Sequence, residues 1–596
     1  MPAPFTRRAA LGFAALAPLA FMPLVARADA PGPADADLAA LAKRWIDVTS
    51  RLSPVGATQI GDHRYDSELD DLSKAAREAG DAEIRKLLAD LTAIPRDKLS
   101  RAAQIDAAML DNKLRYDLWT DETLQSWAWD PLIYAEVAGD ALYSLIAREF
   151  APMPVRMAAA VARMEKLPRL LAQARANLVP ARTPPVHAQT YAKQNKGLTS
   201  LVAELIAPNV TELPADVRAR FEPANAALAK AVAEHQTWIE TVLVPNARGD
   251  FRIGQKLYDE KLAFALNSPL SRQEIRRRAE AALADTRAQM YALAQQVFKL
   301  APGQPGYTAT PSPAEQQALI RRALDLAAAD HPARDQVVDV ARAGLEAATA
   351  FVRQKDLITL PTAPVEVVVM PEFKRGVAVA YCDPPGPLDK GLATFYAVSP
   401  IPADWTAERT ESFLREYNRR GIYDIATHEA MPGHYVQLAH SNAYPSVLRS
   451  VLWSGAFVEG WAVYAEGMMA DEGFLDGDPL YKLVVLKTRL RSITNAILDQ
   501  AIHVDGMSRT EAMTLMMETA FQEEGEASGK WIRASVSSTQ LPSYFVGYSE
   551  HKAIRAEAEK RWGKDFTLKR YHDAVLAFGS PPARFARAAL FEEPIG

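Results

Sequence analysis

Apolar residues recur at three- and four-residue spacing along nearly the whole chain, and this pattern constrains the fold more than any other feature. It runs through DADLAALAKRWIDVTSRL (35–52), DAEIRKLLADLTAI (81–94), PVRMAAAVARMEKLPRLLAQARANL (154–178) and SRQEIRRRAEAALADTRAQMYALAQQVF (271–298). Such spacing gathers apolar side chains on one face of an α-helix, and the abundant Ala and Leu favour that conformation. With 596 residues, 49% hydrophobic and 24% charged, the chain suits two to four domain-sized units or one large helical body. No fixed-period repeat indicates a solenoid. No Ser/Gly-rich linker separates independent domains.

One region departs from the pattern. VEVVVM (365–370), VAVAY (377–381) and TFYAV (394–398) are short, rich in β-branched or aromatic residues, and bounded by Pro and Gly. They read as strands of a small sheet. Helical patterning resumes near Thr406. The expected fold is mainly α: an N-terminal helical half (29–360), then a small β-sheet near 365–400 and a second helical half (361–596), packed as one body.

Residues 1–28 read as a separate export signal. Arg7 and Arg8 precede an apolar run from Ala9 to Val25, and a small-x-small site precedes Asp29. The paired arginines after Thr6 resemble a twin-arginine signal. The expected location is periplasmic or secreted, with no stable membrane association after cleavage. Cys382 is the only cysteine, so no intramolecular disulfide forms and none follows the apolar run for lipid attachment. Net charge is −5 and no basic stripe is present, so nothing points to nucleic acid.

The chemistry concentrates in ATHEAMPGHYVQ (426–437). A metalloprotease helix carries H-E-x-x-H, with its two histidines one turn apart. Here His434 follows His428 by six residues. At about 100° per residue, an unbroken helix would turn the two imidazoles about 240° apart. Pro432 has no N–H for the carbonyl of His428, and Gly433 tolerates an irregular backbone. A widened turn would return both imidazoles to one side. The plain alternative is that Pro-Gly ends one helix and His434 starts another. Glu429 would stand where a general base for a metal-activated water belongs.

GAFVEGWAVYAEGMM (455–469) carries no charge apart from Glu459 and Glu466. A carboxylate on an apolar helix needs a partner. His428, His434 and Glu459 with an open fourth position make a catalytic Zn²⁺ set. Pairing of either glutamate with Arg489 or Arg491 is the competing account.

Taken together, HEAMPGH (428–434) and VEGWAVYAE (458–466) resemble the DUF885 family, a large group of mainly bacterial proteins similar to helical, gluzincin-type zinc metallopeptidases. SPVGATQIGDHRYDSELDDLS (53–73), TQLPSYFVGY (539–548) and RYHDAVLAFGSPP (570–582) resemble its opening, late and closing elements. The resemblance spans about 40–596. It implies a helical body with a deep cleft and hydrolysis of peptide-like amides. Tyr435 and Pro542 depart from the usual family residues.

Tyr544, in the late element, is the candidate oxyanion donor. His503 and His572 are further catalytic candidates. Arg489 and Arg491 are candidates to clamp a substrate carboxylate, although both have glutamates nearby in sequence. GLATFYAVSP (391–400), with Tyr396, is expected to offer a strand edge to a peptide. His63, His187, His235, His331 and His551 read as surface or capping residues. The leading expectation is an exported zinc-dependent metallopeptidase acting on short peptides, carboxypeptidase- or dipeptidase-like. A zinc hydrolase of other amides or esters, and a non-catalytic binding protein, are the alternatives.

Overall fold

The computed structural model describes residues 31–370 and 379–595. Helices run from Asp35–Leu52 to Ala583–Phe591, and the fold is mainly α with one small sheet. The expected export segment lies outside the described residues. No described helix is long and apolar enough to cross a membrane.

The sheet holds β1 (Val365–Val369), β2 (Ala380–Asp383) and β3 (Thr394–Val398). Their order is β1-β3-β2, with β1 parallel and β2 antiparallel to β3. This corrects one expectation: β3 is the central strand, paired on both sides, so residues 391–400 offer no edge. The edge near the motif belongs to β2, where Cys382 stands opposite Tyr396.

Eight helices shape the site. They are α1 (Arg272–Val297), α2 (Val337–Lys355), α3 (Arg419–Glu429), α4 (His434–Asn442), α5 (Gly455–Asp471), α6 (Pro479–His503), α7 (Glu524–Val536) and α8 (Pro542–Trp562). Side-chain caps at Asn418 and Ser454 fix where α3 and α5 begin. The helix α5 is buried along almost its whole length, as its apolar sequence requires. It packs most closely on α8, through glycines. A Cβ on Gly460 would lie 2.2 Å from the carbonyl carbon of Gly547, and one on Gly547 would lie 1.7 Å from Ala456 O. Backbone contact at this crossing sets Glu459 on α5 opposite Tyr544 on α8.

Residue 360 is not a seam in the packing. The helix α1 lies along α6, and α2 lies directly behind α3. A Cβ on Gly344 of α2 would sit 3.3 Å from Ala426 Cβ. Leu357 O accepts from His572 Nδ1 at 2.7 Å, and the Thr359 N–H donates to Asp573 at 2.8 Å. Residues 337–360 therefore belong to the core that carries the motif. Further back, Arg449 is buried with Asp106 at 2.7 Å and also donates to Ala102 O and Phe578 O. That pair ties the first helices to the segment between α4 and α5.

Candidate metal centre

Pro432 and Gly433 stop a helix rather than widen one. The helix α3 ends at Glu429 and α4 begins at His434, with Gly433 as its N-terminal cap. The widened turn is therefore not what forms. The break itself redirects the chain and brings the two imidazoles together at 4.7 Å between ring centroids, nearly perpendicular at 88°. Two contacts hold the turn tightly. The Gly433 N–H donates to Thr427 O at 3.0 Å, and Trp461 Nε1 on α5 donates to Pro432 O at 2.9 Å. A Cβ on Gly433 would lie 1.9 Å from His428 O, so the turn closes only around glycine.

Glu459 Oε2 lies 3.7 Å from His428 Nε2 and 3.5 Å from His434 Nε2. The three ligand atoms all fall within 4.8 Å of one another. Hydrogen bonds would draw such atoms to about 2.8 Å. The observed separations are close to the ~3.4 Å edge of a tetrahedron with bonds of ~2.1 Å. The donor set and its spacing therefore fit a single Zn²⁺. The side chains keep 17% (His428), 10% (His434) and 21% (Glu459) of their exposure, so the cluster is not sealed in the core.

Behind the donors, Glu466 Oε1 sits 2.6 Å from His428 Nδ1, which turns His428 Nε2 towards Glu459. Sequence left the role of Glu466 open; neither arginine pairs with it. Asp424, one turn before His428, was missed. It is buried, and burial together with the charge of Glu466 pushes its carboxyl well above the usual range. Burial works to lower His428, but Glu459 and Glu466 outweigh it and raise its pKa well above the ordinary value. Burial likewise works to raise Glu459, yet the two imidazoles hold it well below the carboxylate range.

Glu429 closes one side. Its Oε2 accepts the Cys382 N–H at 2.8 Å, so the edge of β2 orients it. Burial raises its pKa, opposed by His428 and His434. Tyr544 on α8 lies within the influence of Glu459. Its pKa is raised first by burial and then by the charge of Glu459. Arg533, which no motif marks, and Gln540, which shares the late element with Tyr544, meet its hydroxyl at 3.1 and 3.4 Å.

The remaining candidates stand elsewhere. His503 donates from Nε2 to the carbonyls of Ala534 and Ser537 at 3.0 and 2.8 Å, beside a cavity of about 190 Å³ that His428, His434 and Glu459 do not line. His572 is fully buried between Leu357 O and the Tyr464 hydroxyl, and burial lowers it to about 3. The fold engages both ring nitrogens of His572 and the Nε2 of His503, and neither residue joins the His428–His434–Glu459 cluster. Arg491 pairs with Glu526 at 2.6 Å. Arg489 lies behind α5, where a Cβ on Gly467 would come 2.6 Å from its guanidinium. Tyr396 is 1% exposed in the central strand and has no face for substrate. Among the histidines expected at the surface, His187, His235 and His551 are buried, and His63 is held between Asp66 and Asp389 at 3.0 Å each.

The closing element buttresses the site. Ser580 O accepts the Ser454 N–H at the start of α5, and its hydroxyl meets Gln437 of α4. Tyr435 reaches the Ala363 carbonyl, and Pro542 simply begins α8.

Comparison with known proteins agrees with this architecture. A family model described as "Bacterial protein of unknown function (DUF885)" matches residues 54–590. A solved structure from Shewanella oneidensis, described as a candidate lipoprotein of unknown function, is 35% identical with a TM-score of 0.77, covering 92% of this chain and 98% of its own. A candidate lipoprotein from Colwellia psychrerythraea shares the fold at 18% identity and a TM-score of 0.76, covering 94% of this chain and 99% of its own. No curated protein matches.

Proposed function

Because this chain belongs to the DUF885 family, whose description assigns no function, its chemistry has to be read from its own side chains, and we propose that it is an exported zinc-dependent hydrolase of peptide-like amides acting on short peptides. The observation that carries this reading is the convergence of His428, His434 and Glu459 within 4.8 Å, with Glu429 beside them.

His428, His434 and Glu459 would hold the ion. Zn²⁺ bound there supplies Lewis acidity that activates water and polarises the attacked carbonyl. Glu429, steadied by the Cys382 N–H, takes a proton from the attacking water and delivers it to the leaving amine. Its buried position moves its proton affinity towards the working pH, which suits that task. Tyr544 donates its phenolic proton in a hydrogen bond to the developing oxyanion.

Location belongs to the same reading. The charged and apolar start of the sequence and the cell-envelope descriptions of two similar structures both favour export. The one cysteine lies in β2, so lipid attachment is not part of this reading.

The test is metal content measured together with cleavage of a short-peptide library, with and without a chelator. One zinc per chain and chelator-sensitive cleavage are expected. Full occupancy with no cleavage would leave a binding protein instead.

A further inference from the structure

The basic side chain that lies against Tyr544 is neither of the two arginines suggested by sequence. Arg533 occupies the last turn of α7. Its guanidinium donates to Gln540 Oε1 at 2.9 Å and to the Tyr544 hydroxyl at 3.1 Å, both neutral groups. Among the described residues, no carboxylate oxygen comes within 4.0 Å of it. The acids nearby are already paired: Glu526 with Arg491 at 2.6 Å, and Glu416 with Lys487 at 2.7 Å. Lys530, one turn earlier on α7, is 4% exposed and lies 3.9 Å from the same Glu526. Burial and Arg491 hold the Lys530 pKa well below its usual value, so the excess positive charge of this wall rests on Arg533.

A half-buried guanidinium with only neutral partners is costly unless an anion joins it. Its planar fork suits a carboxylate. Across the site it feels the charge of Glu459, which the proposed ion would take up. We propose that Arg533 anchors a free carboxylate of the substrate, so that the site takes peptide acids. Because Arg533 touches Tyr544, and a residue spans at most about 3.6 Å, that carboxylate lies one or two residues beyond the attacked carbonyl. The inference rests on the amide-hydrolase reading and narrows it to cleavage near a free C-terminus.

Binding tests it apart from turnover. The zinc-loaded Glu429→Gln protein is titrated calorimetrically with a set of N-acetyl tripeptide acids and with the matching C-terminal amides. The acids are expected to bind about ten- to a hundredfold more tightly, as for one charge-assisted contact. Adding Arg533→Gln should reduce the ratio to about one, and Arg533→Lys should restore part of it. A mere role in steadying Tyr544 would weaken acids and amides alike. Equal affinity with Arg533 intact, an acid preference that survives Arg533→Gln, or no binding of either form overturns the inference. Failure of the wild type to cleave any peptide in the set, with the acid preference intact, would instead count against the hydrolase reading.

Discussion

Glu466 Oε1 lies 2.6 Å from His428 Nδ1, while His428 Nε2 looks at Glu459 from 3.7 Å. One imidazole thus links a buried carboxylate to the donor cluster. A carboxylate behind a ligating histidine fixes its tautomer and strengthens it as a donor. Glu466→Gln should lower zinc affinity by about ten- to a hundredfold, read by competition with a chelator. His434→Ala and Glu459→Ala should abolish stoichiometric binding. Equal affinity of the Glu466→Gln and wild-type proteins would remove Glu466 from the centre.

Glu429→Gln separates holding the ion from using it. The amide oxygen can still accept the Cys382 N–H, so the site should keep its shape. Zinc content should stay at the wild-type level. Turnover should fall by at least ~10²-fold, the usual contribution of a positioned base. A variant retaining more than about a tenth of the rate would show that the proton goes elsewhere.

The turn between α3 and α4 makes its own prediction. Gly433→Ala places a methyl 1.9 Å from His428 O, so the chain at the break must shift. His428 and His434 then lose their mutual placement. Zinc affinity should fall by more than tenfold, while far-ultraviolet circular dichroism still shows a helical protein. Trp461→Phe is milder. It removes the donor from Pro432 O and should cost about 1–3 kcal/mol of stability, measured by denaturant unfolding. Wild-type zinc affinity in Gly433→Ala would mean that the turn does not set the ligand geometry.

The three residues that converge were legible in sequence because each announces itself locally: histidines flanking Pro-Gly, and carboxylates on an otherwise uncharged helix. The turn was misread for a physical reason. Counting 100° steps from His428 to His434 assumes one axis, and α3 and α4 have two. The first and third strands were legible from β-branched and aromatic runs, β2 ends two residues beyond VAVAY, whose first two residues lie outside the described ones, and the strand order was not legible. Nothing in TFYAV says that two neighbours pair with it, which is why an edge was expected where the centre lies. His503 and His572 failed for want of local signal, since a carbonyl or hydroxyl partner for a ring nitrogen comes from remote segments. Arg533 was missed for the converse reason. An arginine is notable only when its surroundings leave it without an acid, and that depends on Glu526 being held by Arg491 across α6 and α7.

His63 offers a test of the fold away from the centre. It sits 3.0 Å from both Asp66 and Asp389 and stacks on Phe150 at 3.7 Å. Asp389 lies in the connection from β2 to β3, so this contact fastens the 53–73 segment to the sheet that orients Glu429. Ile60 O also accepts the Leu388 N–H at 2.9 Å. Burial alone would lower the His63 pKa, but Asp389 and Asp66 outweigh it and raise it from 6.5 to about 9. A raised folded value means that the protonated form is favoured by folding. The stabilisation is therefore full below about 6.5, while the aspartates remain ionised, and is lost as pH rises through about 9. His63→Asn should destabilise the protein by up to ~3 kcal/mol near pH 6. It should differ little from wild type above pH ~10, where both lack the charge. Urea unfolding of the two proteins at a series of pH values measures the difference. A gap that stays constant from pH 6 to 10 would show that His63 contributes by packing on Phe150 rather than by its charge.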